Sequence, residues 1–218
     1  MSKLNQPRRQ LLRLGFWVLY RHGGRIYDAL ARVLFGAAWD AWRRSVIALL
    51  RHEPVLDLGC GTGVLLDVLD RRGISSLGID REPSMLGRAA RHDGLRVVRA
   101  EAASLPIATG SVGSCVSTFP APFILEKGVL DEVARVLRPG GAFVVLIGGR
   151  AGGALSARRR VLLRLVYGRD RDPALPDAAL LSHESMPGRW LSLPTSSGQA
   201  IVWIAERRPA APAPVNAR

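Results

Sequence analysis

The segment VLDLGCGTG, residues 55–63, constrains the fold more than any other part of the sequence. A short run with a buried-strand pattern leads into three glycines at alternate positions, and a helical pattern follows over Val64–Arg72. Glycine permits positive φ angles and lets a ligand approach the backbone closely. This order predicts one unit of a parallel sheet, in which the loop points backbone amides of the helix N-terminus into a ligand crevice beyond the strand end.

Short apolar runs alternate with helical patterns through the centre of the chain. After the first helix we predict strand Ser76–Asp80, helix Ser84–Arg91, strand Arg96–Arg99, strand Ser114–Thr118, a helix over 129–137 ended by a turn at Arg138–Gly141, and strand Ala142–Ile147. Such alternation indicates a parallel sheet covered by helices on both faces. Arg189–Leu193 and Ala200–Glu206 flank a turn and predict an antiparallel hairpin.

The charge of the chain restricts the classes of function. Lysine and arginine number 31 against 18 acidic residues, a formal net charge of +13 that can attract nucleic acid or an anionic membrane. All the basic residues except Lys3 and Lys127 are arginines. Residues 1–50 carry +7, residues 51–150 carry +1 and residues 151–218 carry +5. The excess therefore belongs to the flanking segments and not to the predicted sheet.

Leu14–Tyr20 is the longest early apolar run, and it has about a third of the roughly 20 residues that a membrane span needs. As a signal peptide, Leu11–Tyr20 would be interrupted by Arg13, and no small-residue cleavage site follows it. Cys60 and Cys115 are too few for a disulfide framework or a four-thiolate zinc site, and we predict no metal. We therefore expect a cytoplasmic protein.

Two acidic residues accompany the glycine loop. Asp57 lies two residues before the first glycine, where a carboxylate suits a cationic ligand better than a pyrophosphate. Asp80 ends the next predicted strand, where nucleotide-binding folds place an acid for the ribose. The spacing Gly-x-Gly-x-Gly also differs from the Gly-x-Gly-x-x-Gly of dinucleotide enzymes. Together these features indicate a cationic adenosine compound.

Four sequence motifs can be set beside known families: VLDLGCGTG (55–63), GIDREPSML (78–86), RAEAASLPI (99–107) and VLDEVARVLRPGG (129–141). They resemble the class I S-adenosylmethionine-dependent methyltransferases, most closely the ubiquinone- and menaquinone-biosynthesis type with its methyltransferase type 11 domain. The resemblance implies S-adenosyl-L-methionine as the cofactor. It also implies an α/β fold with a Rossmann-like, seven-stranded, mostly parallel sheet, helices on both faces, an antiparallel last strand and an N-terminal helical lid.

The same resemblance assigns cofactor-binding roles to Asp57, Gly59, Cys60, Gly61, Gly63, Asp80, Met85, Glu101, Ala102 and Ser117. The three glycines wrap the amino-acid part of the cofactor. Asp57 helps to hold its ammonium group, and Asp80 takes both ribose hydroxyls. Met85 lies against the adenine, whose amino group is bound by the Glu101 side chain and the Ala102 backbone.

The flanks of the core are predicted from their patterns. Apolar residues recur at three- and four-residue steps from Ile26 to Leu50, which predicts one or two amphipathic helices with arginines on the other face. We predict a single domain over residues 1–208, divided into the lid (1–50), the cofactor-binding core (51–150) and a variable region that ends in the hairpin (151–208). The Pro- and Ala-rich residues 209–218 are predicted to form a disordered tail.

The sequence names no general base. His22 and Tyr27 in the lid and His183 in the variable region are weak candidates, because relatives build the acceptor pocket from these parts of the fold. Cys115 is interpreted as a small buried hydrophobe.

Three functions remain open at this point. The leading hypothesis is a methyltransferase for a small lipophilic acceptor, such as a quinone precursor, a lipid or a secondary metabolite. The basic amphipathic segments 8–20 and 157–167 would then rest on an anionic membrane surface, unless they are core-facing helices with solvated arginine faces. The alternatives are an RNA methyltransferase that uses its basic flanks and a non-enzymatic cofactor-binding protein. The absence of a recognised RNA-binding module disfavours nucleic acid as a partner.

Overall fold

The structure is a computed structural model that describes residues 36–152 and 177–209. Its strands are β1 (Val55–Leu58), β2 (Ser76–Asp80), β3 (Val97–Arg99), β4 (Val112–Thr118), β5 (Leu137–Ala151), β6 (Gly188–Thr195) and β7 (Gly198–Glu206). Its α-helices are α1 (Ala37–Ser45), α2 (Val64–Asp70), α3 (Pro83–Ala89), α4 (Lys127–Val136) and α5 (Ala178–Leu181). Two 3-10 helices cover Val46–Leu49 and Pro122–Leu125.

The seven strands form one sheet in the order β3-β2-β1-β4-β5-β7-β6. Strands β1 to β5 pair in parallel, whereas β7 runs antiparallel to both of its neighbours, β5 and β6. The predicted seven-stranded, mostly parallel sheet and its terminal antiparallel hairpin are therefore confirmed. The carboxyl ends of β3, β2, β1 and β4 meet at one edge, which is where sheets of this kind bind ligands.

Alternate residues of the sheet enter two separate apolar clusters. On one face, Leu56 and Leu58 of β1 pack with α4 residues such as Val133. On the other face, Val55 packs in the same cluster as Trp39 and Trp42 of α1, with residues of α2, β4, β5 and β7. Because side chains alternate along a strand, Asp57 projects to the α1 face with Val55. An ionisable residue thus lies on a largely apolar face, two residues before the first glycine of the loop.

Helix α1 differs from its prediction in one respect. The sequence predicts that its arginines lie opposite the apolar face, and exposed Arg44 does so. Arg43, in contrast, is only 6% exposed and lies on the buried face. The reason is helical spacing: Arg43 falls four residues after Trp39 and three before Val46, both of which are core residues.

The start of β5 also departs from the prediction of a turn at Arg138–Gly141. Leu137 already pairs with Val112, and after a shift in register Ala142 pairs with Ser114. Gly140 has a positive φ of 77°, and its amide donates to the Arg207 carbonyl at 2.8 Å. The glycines therefore form an irregular beginning of the strand, because backbone beyond β7 supplies their hydrogen-bond partners.

Several predictions fall on residues outside the described ranges. These are residues 1–35 of the predicted lid, the basic segments 8–20 and 157–167, the candidates His22 and Tyr27, and residues 210–218 of the predicted tail. Over residues 36–152 and 177–209, the helices are too short or too polar to cross a membrane.

Candidate functional site

Four adjacent strand ends bring the predicted site residues together. Asp57 lies in β1 and Asp80 at the end of β2, and the two strands pair in parallel. Asp80 is in register with Arg99 at the end of β3, and the Ala100 amide donates to the Asp80 carbonyl at 3.3 Å. Phe119 directly follows β4. The chain segments carrying the glycine loop, the two acids and residues 100–102 therefore meet at one edge of the sheet.

Hydrogen bonds donated by its own backbone amides hold the glycine loop in place. The amides of Gly59 and Cys60 both donate to the Ile79 carbonyl, at 2.7 and 3.0 Å, and that of Gly63 donates to the Cys60 carbonyl at 3.0 Å. The Gly61 amide donates to Asp80 Oδ2 at 2.9 Å. The amides of Gly59, Cys60 and Gly61 thus fix the loop to the end of β2, and that of Gly63 closes the loop on itself. The amides predicted to point into the crevice are those of the helix N-terminus that follows, and their role stays a prediction.

The three glycines of the loop have positive φ angles but different surroundings. Among the described residues, a Cβ atom on Gly61 would meet nothing within 4 Å, which leaves space beside this part of the loop. A Cβ on Gly63 would lie 3.0 Å from the Ala89 Cβ atom, so this glycine lets α3 pack closely. A Cβ on Gly59 would lie 3.2 Å from the Phe123 ring. Gly61 is thus the position at which a ligand has the most room to approach the backbone.

Asp80 organises the loop as well as the crevice. Its Oδ2 atom accepts from Gly61 and its Oδ1 atom accepts from the Glu82 amide, both at 2.9 Å. These bonds fix the orientation of the carboxylate. Each oxygen keeps further acceptor capacity, because an ionised carboxylate has about four lone-pair sites. Half-buried Asp80 is therefore set to accept two neighbouring hydroxyls, as the ribose prediction requires.

Asp57 is 1% exposed, and its Oδ1 atom has no hydrogen-bond partner among the described residues. Burial raises the pKa of its carboxyl from 3.8 to about 7; the charge of Arg43 opposes this shift and that of Asp80 adds to it. A buried polar atom without a partner costs free energy. This oxygen is consequently an acceptor that a cationic donor from outside the chain can satisfy.

The raised pKa of Asp57 predicts how stability depends on pH. The folded protein keeps a proton that the unfolded chain releases near pH 3.8, so the free energy of unfolding should fall between about pH 4 and pH 7 and then level off. Asp57→Asn should remove this fall and stabilise the protein above pH 7 by up to about 4 kcal/mol. Urea unfolding at pH 5 and pH 8 measures both effects. Asp93→Asn, at an exposed carboxylate, is the control and should keep the wild-type slope.

The remaining predicted cofactor residues differ in exposure. Met85 and Ala102 are half-buried and Glu101 is exposed at the strand-end edge. The Ser117 hydroxyl is buried and donates to the Leu58 carbonyl at 2.6 Å, so it joins β4 to β1. Cys60 is buried against the loop, where its Sγ atom would lie 2.7 Å from a Cβ on Gly78. Their roles towards a cofactor stay predictions.

Both cysteines are buried thiols. Burial raises the pKa of Cys60 and of Cys115 far above the ordinary value, and the charge of Asp57 adds to both shifts. A thiol that does not ionise is a poor nucleophile. Cys115 lies in the apolar cluster under α4, in keeping with its interpretation as a small hydrophobe.

His183 is engaged at both ring nitrogens. Its Nδ1 atom accepts from the Ser185 amide at 3.1 Å, and its Nε2 atom lies 3.3 Å from Asp131 Oδ1 on α4. Lys127 Nζ contacts both oxygens of the same carboxylate at 2.8 Å. The ring therefore ties the segment before β6 to α4. A role as general base would require one of these contacts to break.

The sequence did not single out an aromatic cluster beside β4. The rings of Trp39 and Phe119 stack, with centroids 3.5 Å apart and an interplanar angle of 10°. The Arg43 guanidinium carbon lies 5.7 Å from the centroid of the Phe119 ring. Phe119 has a φ of 52°, which is unusual for a bulky residue and often marks a functional site. The sequence signal that could have pointed to this cluster is the position of Arg43 on the apolar face of α1.

Comparison with known proteins agrees with this arrangement. Residues 56–145 match the family model described as a methyltransferase domain, in agreement with the methyltransferase resemblance of the motifs. An uncharacterized methyltransferase of Mycobacterium sp. (strain JLS) is 36% identical over 124 residues, which are 56% of this chain and 49% of the relative. A demethylmenaquinone methyltransferase of Thermus thermophilus is 38% identical over 131 residues, 55% of this chain and 60% of the relative. The chain spans about half the length of the curated relatives it matches.

Solved structures share the fold. A SAM-dependent methyltransferase from Thermotoga maritima, described as a possible histamine N-methyltransferase, superposes with a TM-score of 0.62. The two sequences are 17% identical, and the match covers 88% of this chain and 99% of that one. At this identity the likeness concerns the fold alone.

Proposed function

Given that residues 56–145 form a methyltransferase domain, we propose that the protein is an S-adenosylmethionine-dependent methyltransferase whose acceptor is a small lipophilic molecule. One observation supports the use of S-adenosylmethionine. Asp57, with its unsatisfied buried oxygen, and Asp80, with its oriented carboxylate, lie in adjacent strands beside the glycine loop, and the described residues leave space at Gly61.

The described residues fit this cofactor chemically. A cationic ammonium group would satisfy Asp57 Oδ1, which no described residue does. The fixed Asp80 carboxylate suits a pair of ribose hydroxyls, and the space beside Gly61 admits the connecting chain. Half-buried Met85 and Ala102 offer apolar surface for a purine at the ends of β2 and β3.

The cofactor supplies a methyl group on a sulfonium centre that is already electrophilic. The chain therefore has to bind, orient and exclude water, and needs a base only for a weakly nucleophilic acceptor. Asp80 and the amides it accepts from orient the loop. The stacked rings of Trp39 and Phe119 provide apolar surface at the carboxyl end of β4, on the face of the sheet that α1 covers.

Two observations support the lipophilic acceptor. One of the relatives is named a demethylmenaquinone methyltransferase. The surroundings of the β4 end are aromatic: Phe119 follows the strand, and Phe123 contacts the position of Gly59. An apolar aromatic wall favours an apolar acceptor over a phosphate backbone. The basic flanks are proposed to bring the protein to the membrane surface in which such acceptors dissolve.

A radiolabelled methyl-transfer screen tests the acceptor. The full chain is incubated with labelled S-adenosylmethionine and separate lipid, small-metabolite and RNA fractions of cells. We expect label in the lipid or apolar metabolite fraction, at least tenfold above an Asp80→Asn sample. Co-sedimentation with anionic vesicles should accompany it and should weaken as salt increases.

Other results would replace this proposal. Label in the RNA fraction would identify the acceptor as RNA, and the basic flanks as its phosphate footprint. Cofactor binding without transfer to any fraction would favour a non-enzymatic binding protein.

A further inference from the structure

The segment between β3 and β4 carries Glu101, whose side chain is predicted to bind the amino group of adenine. Residues 100–111, all of which the structure describes, form turns and bends without a helix or strand of their own. The Ala100 amide donates to the end of β2 at 3.3 Å, and the Ser104 amide closes a turn by donating to the Glu101 carbonyl at 3.0 Å. The sheet therefore holds the start of the segment, whereas the turn that begins at Glu101 needs support from elsewhere.

Two charged side chains of α4 hold the residue that follows this turn. Glu132 Oε2 accepts from the Leu105 amide at 2.7 Å, and Arg135 Nη2 donates to the Leu105 carbonyl at 3.0 Å. The Leu105 side chain is buried in the apolar cluster that includes α4 residues. Arg135 Nη1 also donates to the Ile107 carbonyl at 2.7 Å. Both backbone polar groups of Leu105 and its side chain are thus fixed by contacts with α4 and the core.

Glu132 and Arg135 also orient each other. Arg135 Nε donates to Glu132 Oε1 at 2.7 Å, and Nη2 donates to Oε2 at 2.9 Å, which makes the pair bidentate. The hydrogen bond from Arg135 lowers the pKa of the Glu132 carboxyl, so both side chains are charged at neutral pH. A bidentate pair has a defined geometry. It therefore holds Leu105 at a fixed distance and angle from α4.

The first turn of α4 also reaches the turn at Glu101. A Cβ atom on Gly128 would lie 3.7 Å from the Ala103 Cβ atom, which is an ordinary packing distance. The turn thus lies against α4 at Ala103 and is followed directly by Leu105. Its placement relative to the crevice is therefore set by α4 and not by the sheet alone.

We propose that Glu132 and Arg135 are positioning residues, which hold the turn at Glu101 in place and thereby determine how strongly the site prefers adenine to a 6-oxo purine. This inference rests on the proposed function. Adenine has a donor at its 6-amino group and an acceptor at N1, and hypoxanthine has the reverse pattern. Since hydrogen-bond lengths span only about 0.5 Å, a turn displaced by roughly 1 Å would lose this discrimination.

Titration calorimetry with S-adenosylhomocysteine and S-inosylhomocysteine, which differ only in the purine, tests the inference. Wild type should bind the adenine ligand at least about tenfold more tightly. Arg135→Met should reduce this preference to less than about threefold, mainly by weakening S-adenosylhomocysteine. Arg138→Met is the matched control, because Arg138 donates to the Ser111 carbonyl of the same segment at 3.0 Å, but at the end next to β4. It should keep the wild-type preference even where urea unfolding shows a loss of stability.

Arg135→Lys keeps the charge but cannot form the fork, and it should show an intermediate preference. This variant and Glu132→Gln also serve if Arg135→Met does not fold. A structural role alone would lower both affinities by the same factor, so an unchanged preference in the folded variants would overturn the inference. A wild type that binds the two ligands equally would overturn it too, and would leave the proposed function standing. If wild type binds neither ligand, the proposed function itself fails.

Discussion

Asp80→Asn is expected to weaken the binding of S-adenosylhomocysteine by at least about a hundredfold. The carboxylate accepts the amides of Gly61 and Glu82 through its two oxygens and is proposed to take both ribose hydroxyls. A carboxamide offers one acceptor, and its amino group would face a backbone N–H. Losing two charge-assisted hydrogen bonds of roughly 1.5–3 kcal/mol each accounts for the size of the effect.

Titration calorimetry at 25 °C measures this change, and thermal unfolding without ligand checks that the variant folds. Asp67→Asn is the matched control, because Asp67 lies in the helix after the loop and pairs with Arg71 at the surface. It should bind as wild type does. Undiminished binding by Asp80→Asn would remove the basis for placing the ribose at the end of β2.

Gly61→Ala is expected to weaken the binding of S-adenosylhomocysteine at least about thirtyfold, which is more than its cost in stability accounts for. The φ of Gly61 is 56°, which costs alanine roughly 1–2 kcal/mol. A methyl group here would meet no atom of residues 36–152 and 177–209 within 4 Å and is proposed to project into the space for the ligand.

Gly140→Ala is the control that separates the effect of backbone strain on stability from an effect on ligand binding. Its φ is 77° and a Cβ atom would again meet nothing within 4 Å, but it lies at the start of β5, away from the glycine loop. Both variants should lose similar stability in urea unfolding, and only Gly61→Ala should lose affinity. Equal affinities of the two variants would show that the ligand does not occupy the space beside Gly61.

The parts of the fold that could be predicted are those specified by local patterns. Consecutive residues specify the strand, glycine loop and helix at 55–70. The place of Asp80 in the site follows from its position at the end of a strand. Both acids are found at the predicted edge of the sheet because parallel strands align their carboxyl ends. The hairpin could likewise be predicted from a local pattern, since two apolar runs flank a turn.

Features that depend on distant contacts could not be predicted in this way. The burial of Arg43 requires the sheet and Phe119 to be in place, and helical spacing alone assigns it to the apolar face without explaining how its charge is held. The loop amides bond to β2 because that strand lies beside them in three dimensions. The contact of His183 with Asp131 likewise joins residues that are far apart in sequence.

The position of β7 has a consequence for synthesis of the protein. β7 lies between β5 and β6, so β6 emerges from the ribosome before the strand that will hold it in the sheet. Until β7 follows, the nascent chain exposes the hydrogen-bonding edge of β5, whose residues Phe143 to Leu146 are fully buried in the finished fold. Unpaired edges of this kind are where growing chains associate wrongly. The dependence on chaperones should therefore be greatest in the interval between translation of residue 151 and translation of residue 206.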